Sequence, residues 1–306
     1  MGGNKPVVKA KSLKVQTRGD KFFYAAKDLI LLFAFLVVIY PLVFVVSSSF
    51  SSGRAVSTGM VVLWPVEFSL EGYKTVFDYP LIVSGFQNSF FYMIAGTMIN
   101  LFVTVLAAYP LSRQKMLGRG FIMFLFTFTM IFSGGLIPTY ILMQRLHIVN
   151  TRWVMLLPGA VGVFNLIVCR TYFQNNIPEE LFESASMDGC NHIRFLVSVV
   201  IPLSKPILAV LTLYYAVGHW NSYFSAFIYL SSRELFPLQI ILREILVLNI
   251  IDTSTVFDPE LEAVRYGLAD LLKYALIVVS TVPFMVAYPF VAKHFVKGAL
   301  SGAIKG

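Results

Sequence analysis

Four imidazoles, His147, His192, His219 and His294, and two thiols, Cys169 and Cys190, are all the histidines and cysteines of the chain. They are scattered over different segments, and no H-E-x-x-H, C-x-x-C or G-x-S-x-G string occurs. Each imidazole is read as structural or interfacial, and each thiol as a small buried hydrophobe outside any disulfide framework. No G-x-x-x-x-G-K-[ST] string is present to cradle nucleotide phosphates. What remains is the chemistry of recognition. Residues 183–190 read ESASMDGC, a short acidic stretch with two carboxylates, Glu183 and Asp188, and a glycine, Gly189, that frees the backbone to bend. A second group, Asn88, Tyr92, Tyr140, Asn165, Tyr214, Trp220 and Asn221, with Tyr223, offers amides, phenols and aromatic faces of the kind that hold a neutral sugar.

The elements that must position these residues are apolar. Of 306 residues, 57% are hydrophobic and only 13% charged, and the mean hydropathy is +0.75. A soluble domain carries about a quarter charged residues, so the composition points to an integral membrane protein. About 20 apolar residues cross the hydrocarbon core as a helix. Six segments meet that length, at roughly 29–49, 86–110, 120–143, 153–173, 203–228 and 272–294. Ser133-Gly134-Gly135 with Pro138, Pro158-Gly159 with Gly162, and Pro283 with Pro289 interrupt three of them. Such breaks are tolerated where neighbouring helices or a wet cavity satisfy the freed backbone groups, which favours a transporter over a rigid anchor.

Charge sets the orientation. With six spans, the 1–28 tail, residues 111–119, residues 170–205 and the C-terminal stretch share one side and hold 16 of the 24 Lys and Arg residues. By the positive-inside rule that side is cytoplasmic, both termini are inside and residues 1–28 form a basic cytoplasmic tail. The basic residues flank the spans, so the net charge of +8 reflects topology and nucleic acid is not an expected partner. Most of the acid lies outside, in long segments at about 50–85 and 231–271, where a partner-facing surface is expected.

The inner segment 178–202 is expected to form two short helices. Pro178, Glu179 and Glu180 suit a first turn, Leu181 and Ala185 share one face, Gly189 permits a turn, and Ile193, Leu196 and Val197 recur at helical spacing before Pro202. The string Glu183-Ser184-Ala185, three residues, Gly189, nine residues, Val199-Val200-Ile201-Pro202 is similar to the signature E-A-A-x3-G-x9-I-x-L-P of binding-protein-dependent ABC importer permeases. It departs at Ser184, Val199 and Ile201, each a small or isosteric change. The tail, the six spans, the long outer loop, Asn88-Ser89 and Trp220-Asn221 resemble the carbohydrate-uptake, maltose-permease-like branch, most closely the Firmicute oligosaccharide or polysaccharide permeases of the LplC and YtcP kind.

The resemblance implies an all-α integral membrane fold with six transmembrane helices, the type I ABC importer permease (MetI-like) fold, in a permease domain over 29–306 of a bacterial plasma-membrane protein. It makes the 178–202 segment a coupling helix that enters a cleft of a separate ATPase. There Glu183 would meet the ATPase surface, Ala185 would pack closely and Gly189 would permit the turn, with Ser184 beside them and Met187, Asp188 and Cys190 flanking. The expected partners are a homologous second permease, an ATPase dimer, an extracellular solute-binding protein, the carbohydrate and membrane lipid. This chain binds no cofactor; ATP and Mg belong to the ATPase. In related heterodimers the sugar touches mainly the sister permease, leaving this chain as a wall of the path.

Three readings compete. A secondary carrier or channel needs ionisable relays within the membrane, and the span cores are nearly free of Asp, Glu, Lys and Arg. An importer of another solute, such as a peptide, shares the same signature. A membrane enzyme lacks any catalytic string.

Overall fold

The computed structural model describes residues 18–247, 271–283 and 285–286. All secondary structure among them is helical. In chain order the helices are α1 (Arg18–Ser49), α2 (Gly53–Ser57), α3 (Glu71–Asp78), α4 (Pro80–Ser112), α5 (Arg119–Ile131), α6 (Leu136–Arg145), α7 (Trp153–Leu156), α8 (Val163–Asn176), α9 (Glu179–Met187), α10 (His192–Phe195), α11 (Ile201–Leu203), α12 (Lys205–Trp220), α13 (Tyr223–Tyr229) and α14 (Leu238–Val247). A last apolar helix, α15, runs Leu271–Pro283. A π-helical turn, Leu196–Val200, joins α10 to α11, and a 3₁₀ turn occupies Arg233–Leu235.

Among the described residues, two helices are long and apolar enough to cross a membrane unbroken, Gly19–Ser49 and Pro80–Ser112. At 1.5 Å per residue a helix of this length extends about 48 Å, well beyond the roughly 30 Å hydrocarbon core. Nearly all of α1 is exposed apolar surface, from Phe22 to Val46, as lipid contact requires. It starts at Arg18, ahead of the expected span start at 29, so the end of the basic tail continues the helix. Two further helix pairs are sharply bent: α5 with α6 by 115°, and the His192–Leu203 run with α12 by 83°. The first bend falls at Ser133-Gly134-Gly135, where Gly135 has φ +84°. The expected 153–173 span divides at Pro158-Gly159 into α7 and α8, and the 203–228 span divides between α12 and α13. The 248–270 part of the second outer segment, residues 1–17 of the tail, and the end of the sixth expected span with the C-terminus lie outside the described residues.

α4 is the central post, packing against α12, α8, α14, α7 and α3. One cluster surrounds its C-terminal half and includes Ala108, Leu166, Cys169, Phe173, Phe195, Val200 and Leu211. Two others surround its N-terminal half, one with Ile82, Trp220, Leu238 and Leu276, the other with Tyr92, Val154, Leu156 and Ala226. Polar residues of α4 fasten the 234–238 segment: Asn88 Nδ2 donates to the carbonyls of Glu234 (2.7 Å) and Phe236 (3.1 Å). Tyr92 Oη donates to Leu235 O at 2.9 Å, and Ser89 Oγ accepts from Leu238 N at 2.9 Å. An irregular stretch within apolar surroundings must satisfy its backbone groups, and these side chains do so.

Candidate functional site

The ESASMDGC stretch ends α9. Pro178 precedes the helix and Glu179 and Glu180 occupy its first turn, where carboxylates complement the positive dipole end. At the other end Gly189 has φ +77°. Its N–H donates to Ser186 O and the Cys190 N–H to Ala185 O, both at 3.0 Å. That pair of bonds is a Schellman cap, which needs a left-handed residue between helix and exit. The chain turns at once into α10, whose first N–H groups are capped by Asn191 Oδ1 accepting from Arg194 N at 2.8 Å.

Phe182 pins the two short helices together. Its ring stacks on His192 (4.2 Å, 12°) and meets Phe195 edge-on (5.2 Å, 78°). The inward face of α9 is therefore Phe182 and Ala185, both packed on the core. This corrects the expected Leu181 and Ala185 face, because Leu181 is exposed. Of Ile193, Leu196 and Val197, only Leu196 is buried; the π turn from Leu196 widens the helical period and shifts which side chains point inward. Met187, 90% exposed, projects from the tip beside exposed Ser184, Asp188 and Gly189, while Cys190 is half-buried.

Two residues that sequence reasoning passed over hold this knob to the end of α4. Lys115 Nζ donates to Glu183 Oε1 at 2.8 Å, and Arg113 Nη1 lies 3.5 Å from Glu179 Oε2. The Glu183 hydrogen bond, with its charge, holds the Lys115 ammonium above the usual lysine value. Glu179 and Glu183 are one turn apart, so a single helix face reads the 113–115 loop. The only sequence sign was the alternation of Arg113 and Lys115 in a loop expected to lie inside, where the positive-inside rule already accounts for them.

A second polar constellation sits where α7 gives way to α8. Asn100 Nδ2 donates to Gly159 O (3.0 Å) and Ala160 O (2.9 Å), leaving Oδ1 to accept from His219 Nε2 at 2.6 Å. The amide's donors are both used, so this network requires the Nε2–H tautomer of His219. Tyr215 Oη accepts from Gly162 N (3.3 Å) and shares a hydrogen bond with Thr104 Oγ1 (2.7 Å). Gly96 admits the imidazole, since a Cβ there would collide with the His219 ring. A cleft of about 220 Å³ opens beside this network, lined by Tyr214, Gly218, Ser222 and Ser225 among others, with no ionisable carboxylate or ammonium. Amides, hydroxyls and a half-exposed phenol ring are groups that hydrogen-bond hydroxyls and stack on pyranose faces. Sequence reasoning named only Tyr214 here. Asn100 and Thr104 amid an apolar run were the available signal.

The other expected path residues are not gathered at this cleft. Asn88, Tyr92 and Trp220 are buried; the first two fasten the 234–238 segment, and Trp220 packs on Phe86 and Phe90. Tyr140 stacks on Tyr229 at 5.9 Å. Asn221 folds back to donate to Val217 O at 3.1 Å. Asn165 stands half-buried next to Gly162, and Tyr223 stacks on Phe227 under Arg243.

Long apolar helices and sharply bent helix pairs define a polytopic helical membrane protein, with an exposed two-helix knob at α9 and α10. No protein-family model matches the chain. It is 39% identical over 280 residues to the polygalacturonan/rhamnogalacturonan transport system permease protein YtcP of Bacillus subtilis, covering 90% of this chain and 96% of that one. Protein LplC of the same organism is 38% identical, covering 88% and 90%. A solved bacterial ABC transporter involved in the import of the acidic polysaccharide alginate superposes with a TM-score of 0.84 at 34% identity, over 91% of this chain and 98% of that chain. The chain belongs to the carbohydrate ABC importer permease family.

Proposed function

We propose that this chain is one half of the translocation path of a binding-protein-dependent importer for a fragment of an acidic polysaccharide. It has six spans and both termini in the cytoplasm, pairs with a homologous permease, and is driven by two copies of a separate ATPase that binds ATP and Mg. An extracellular solute-binding protein delivers the glycan to the outer segments at about 50–85 and 231–271. The chain itself is not catalytic. Closure of the ATPase dimer moves the α9–α10 knob as a rigid body, and the bent spans convert that displacement into outward opening. Hydrolysis resets the cavity inward.

The observation that carries this reading is the knob itself, capped by Gly189, pinned by Phe182 and ending in the exposed Met187. The acidic class of the glycan is supported by the names of two relatives, one of polygalacturonan transport and one of alginate import. The cleft at Asn100 and Tyr214 is one wall of the path; about 220 Å³ is too small for an oligosaccharide, so the sister permease supplies the rest. The test is uptake of labelled oligogalacturonate into proteoliposomes holding the whole complex. ATP-dependent uptake that needs the binding protein is expected. Uptake without ATP would mean a secondary carrier, and uptake of maltodextrin or peptide in its place would overturn the substrate class.

A further inference from the structure

Past Val46 the exposed apolar surface of α1 ends. Ser47, Ser48, Ser49 and Ser51 are buried beneath the chain that follows, and they fix it in place. Ser47 Oγ donates to Leu63 O at 2.6 Å, Val66 N to Ser51 Oγ at 3.0 Å and Ser52 N to Val66 O at 3.2 Å. The Ser52 hydroxyl also donates to the Glu67 carboxylate. These bonds set heights along the α1 axis. Leu63 stands level with Ser47, whereas Val66 and Glu67 stand level with Ser51 and Ser52, about 6 Å further along at 1.5 Å per residue.

Side-chain chemistry sorts along the same axis. Residues 55–66, AVSTGMVVLWPV, carry no charge. Val61 is tucked inside, whereas Val62, Leu63 and Trp64 are exposed, Trp64 at 80%. The part of the loop nearest the middle of α1 is therefore apolar, and its first charge, Glu67, comes beyond it. The span itself gives the scale. Leu29–Val46 has no charged residue, and it rises about 27 Å, close to the roughly 30 Å hydrocarbon core. Lys27 and Asp28, paired at 2.8 Å, close one end. The other boundary falls at Val46, one residue before the serine that holds Leu63. Large apolar groups and an indole at that height match the headgroup–acyl boundary, where Trp is enriched. A soluble partner approaching along the axis meets Glu67 and Phe68 before it reaches Leu63, so height favours lipid over a protein as the cover of this patch.

We propose that Val62, Leu63 and Trp64 insert into the lipid headgroup–acyl boundary at the C-terminal end of α1, as a fixed anchor that holds this helix at one height and tilt. The serine bonds make the anchor rigid with respect to α1, so the loop and the span move as one body. With no charge in 55–66, zwitterionic lipid is enough to hold it. The part of the 50–85 segment from Glu67 onward is left to meet a soluble partner. The inference uses the membrane placement of α1 and is read out without transport, so its failure and that of the import reading are separate results.

The test is electron paramagnetic resonance of the nitroxide-labelled full complex in phosphatidylcholine nanodiscs, with Cys190→Ser in this chain and partner chains free of cysteine; Cys169 is buried. Labels at Val62→Cys and Trp64→Cys are compared with one at Glu67→Cys. The ratio of collisions with oxygen, which concentrates in lipid, to collisions with a water-soluble nickel chelate is expected to be roughly threefold or more higher at 62 and 64 than at 67. Adding the solute-binding protein should leave it unchanged. Either position serves if the other variant does not assemble. A ratio no higher than at 67 would put the patch in water and overturn the proposal. Few collisions with either reagent would mean that a partner chain covers it, and collisions lost on adding the binding protein would make it a receptor contact; each of these also overturns the lipid anchor.

Discussion

Gly189 has a backbone conformation that only glycine adopts freely, and no heavy atom lies within 4 Å of where its Cβ would stand. A side chain there is therefore strained by φ +77° and clashes with nothing in this chain. An L-residue forced left-handed costs about 1–2 kcal/mol, with Asn the mildest. That penalty falls on the Schellman cap and shifts its equilibrium roughly five- to thirtyfold. Alanine and leucine carry the same backbone penalty, so any excess loss in Gly189→Leu reports a partner surface that covers the position. Measured as ATP-driven uptake and hydrolysis by the reconstituted complex, Gly189→Asn should stay near wild type and Gly189→Ala should transport less. Gly189→Leu should hydrolyse ATP with the least uptake. Full uptake by Gly189→Leu would remove the coupling role. Asn no better than Ala would refute the cap argument, and Leu equal to Ala would refute contact at this position.

In outside-applied thiol labelling, on a background lacking Cys190, Glu67→Cys should react and Glu183→Cys should not; the reverse would invert the topology. Asn100→Ala removes the partner of the Gly159 and Ala160 carbonyls and of the His219 N–H, and a group left unpaired out of reach of water costs about 1–3 kcal/mol. Thermal unfolding in detergent should show a clear loss, larger than for His219→Gln, which keeps a donor. The Lys115–Glu183 pair is exposed on both sides, at 74% and 57%, so Lys115→Gln should leave the melting temperature unchanged while altering the salt dependence of coupled hydrolysis. Because the Lys115 value is raised in the folded state, whatever the pair contributes is present below the ordinary lysine value and is lost only as pH rises past it. A coupling change between pH 6 and 9 would have to come from another group. Asn191→Ala should loosen α10 by about 1 kcal/mol of capping, read as faster amide exchange in 191–200 alone.

What the sequence settled by itself was local or periodic. Apolar runs of spanning length, the breaks at Ser133-Gly135 and Pro158-Gly159, and a bend at Gly189 follow from covalent and solvation rules that act on neighbours in the chain. The signature from Glu183 to Pro202 carried the family because its spacing is linear. Everything that depended on which face met which helix waited for the fold. Phe182 in place of Leu181 as the inward anchor of α9 depends on where His192 and Phe195 arrive. Asn88 and Tyr92 look like sugar-binding groups in isolation, yet they satisfy carbonyls about 145 residues away in sequence. Asn100 meets His219 across 119 residues, and Arg113 is buried because the rings of Tyr109 and Phe195 arrive beside its guanidinium. Hydrogen bonds to a buried polar atom are made by whichever residue the packing delivers, and that choice is written in three dimensions.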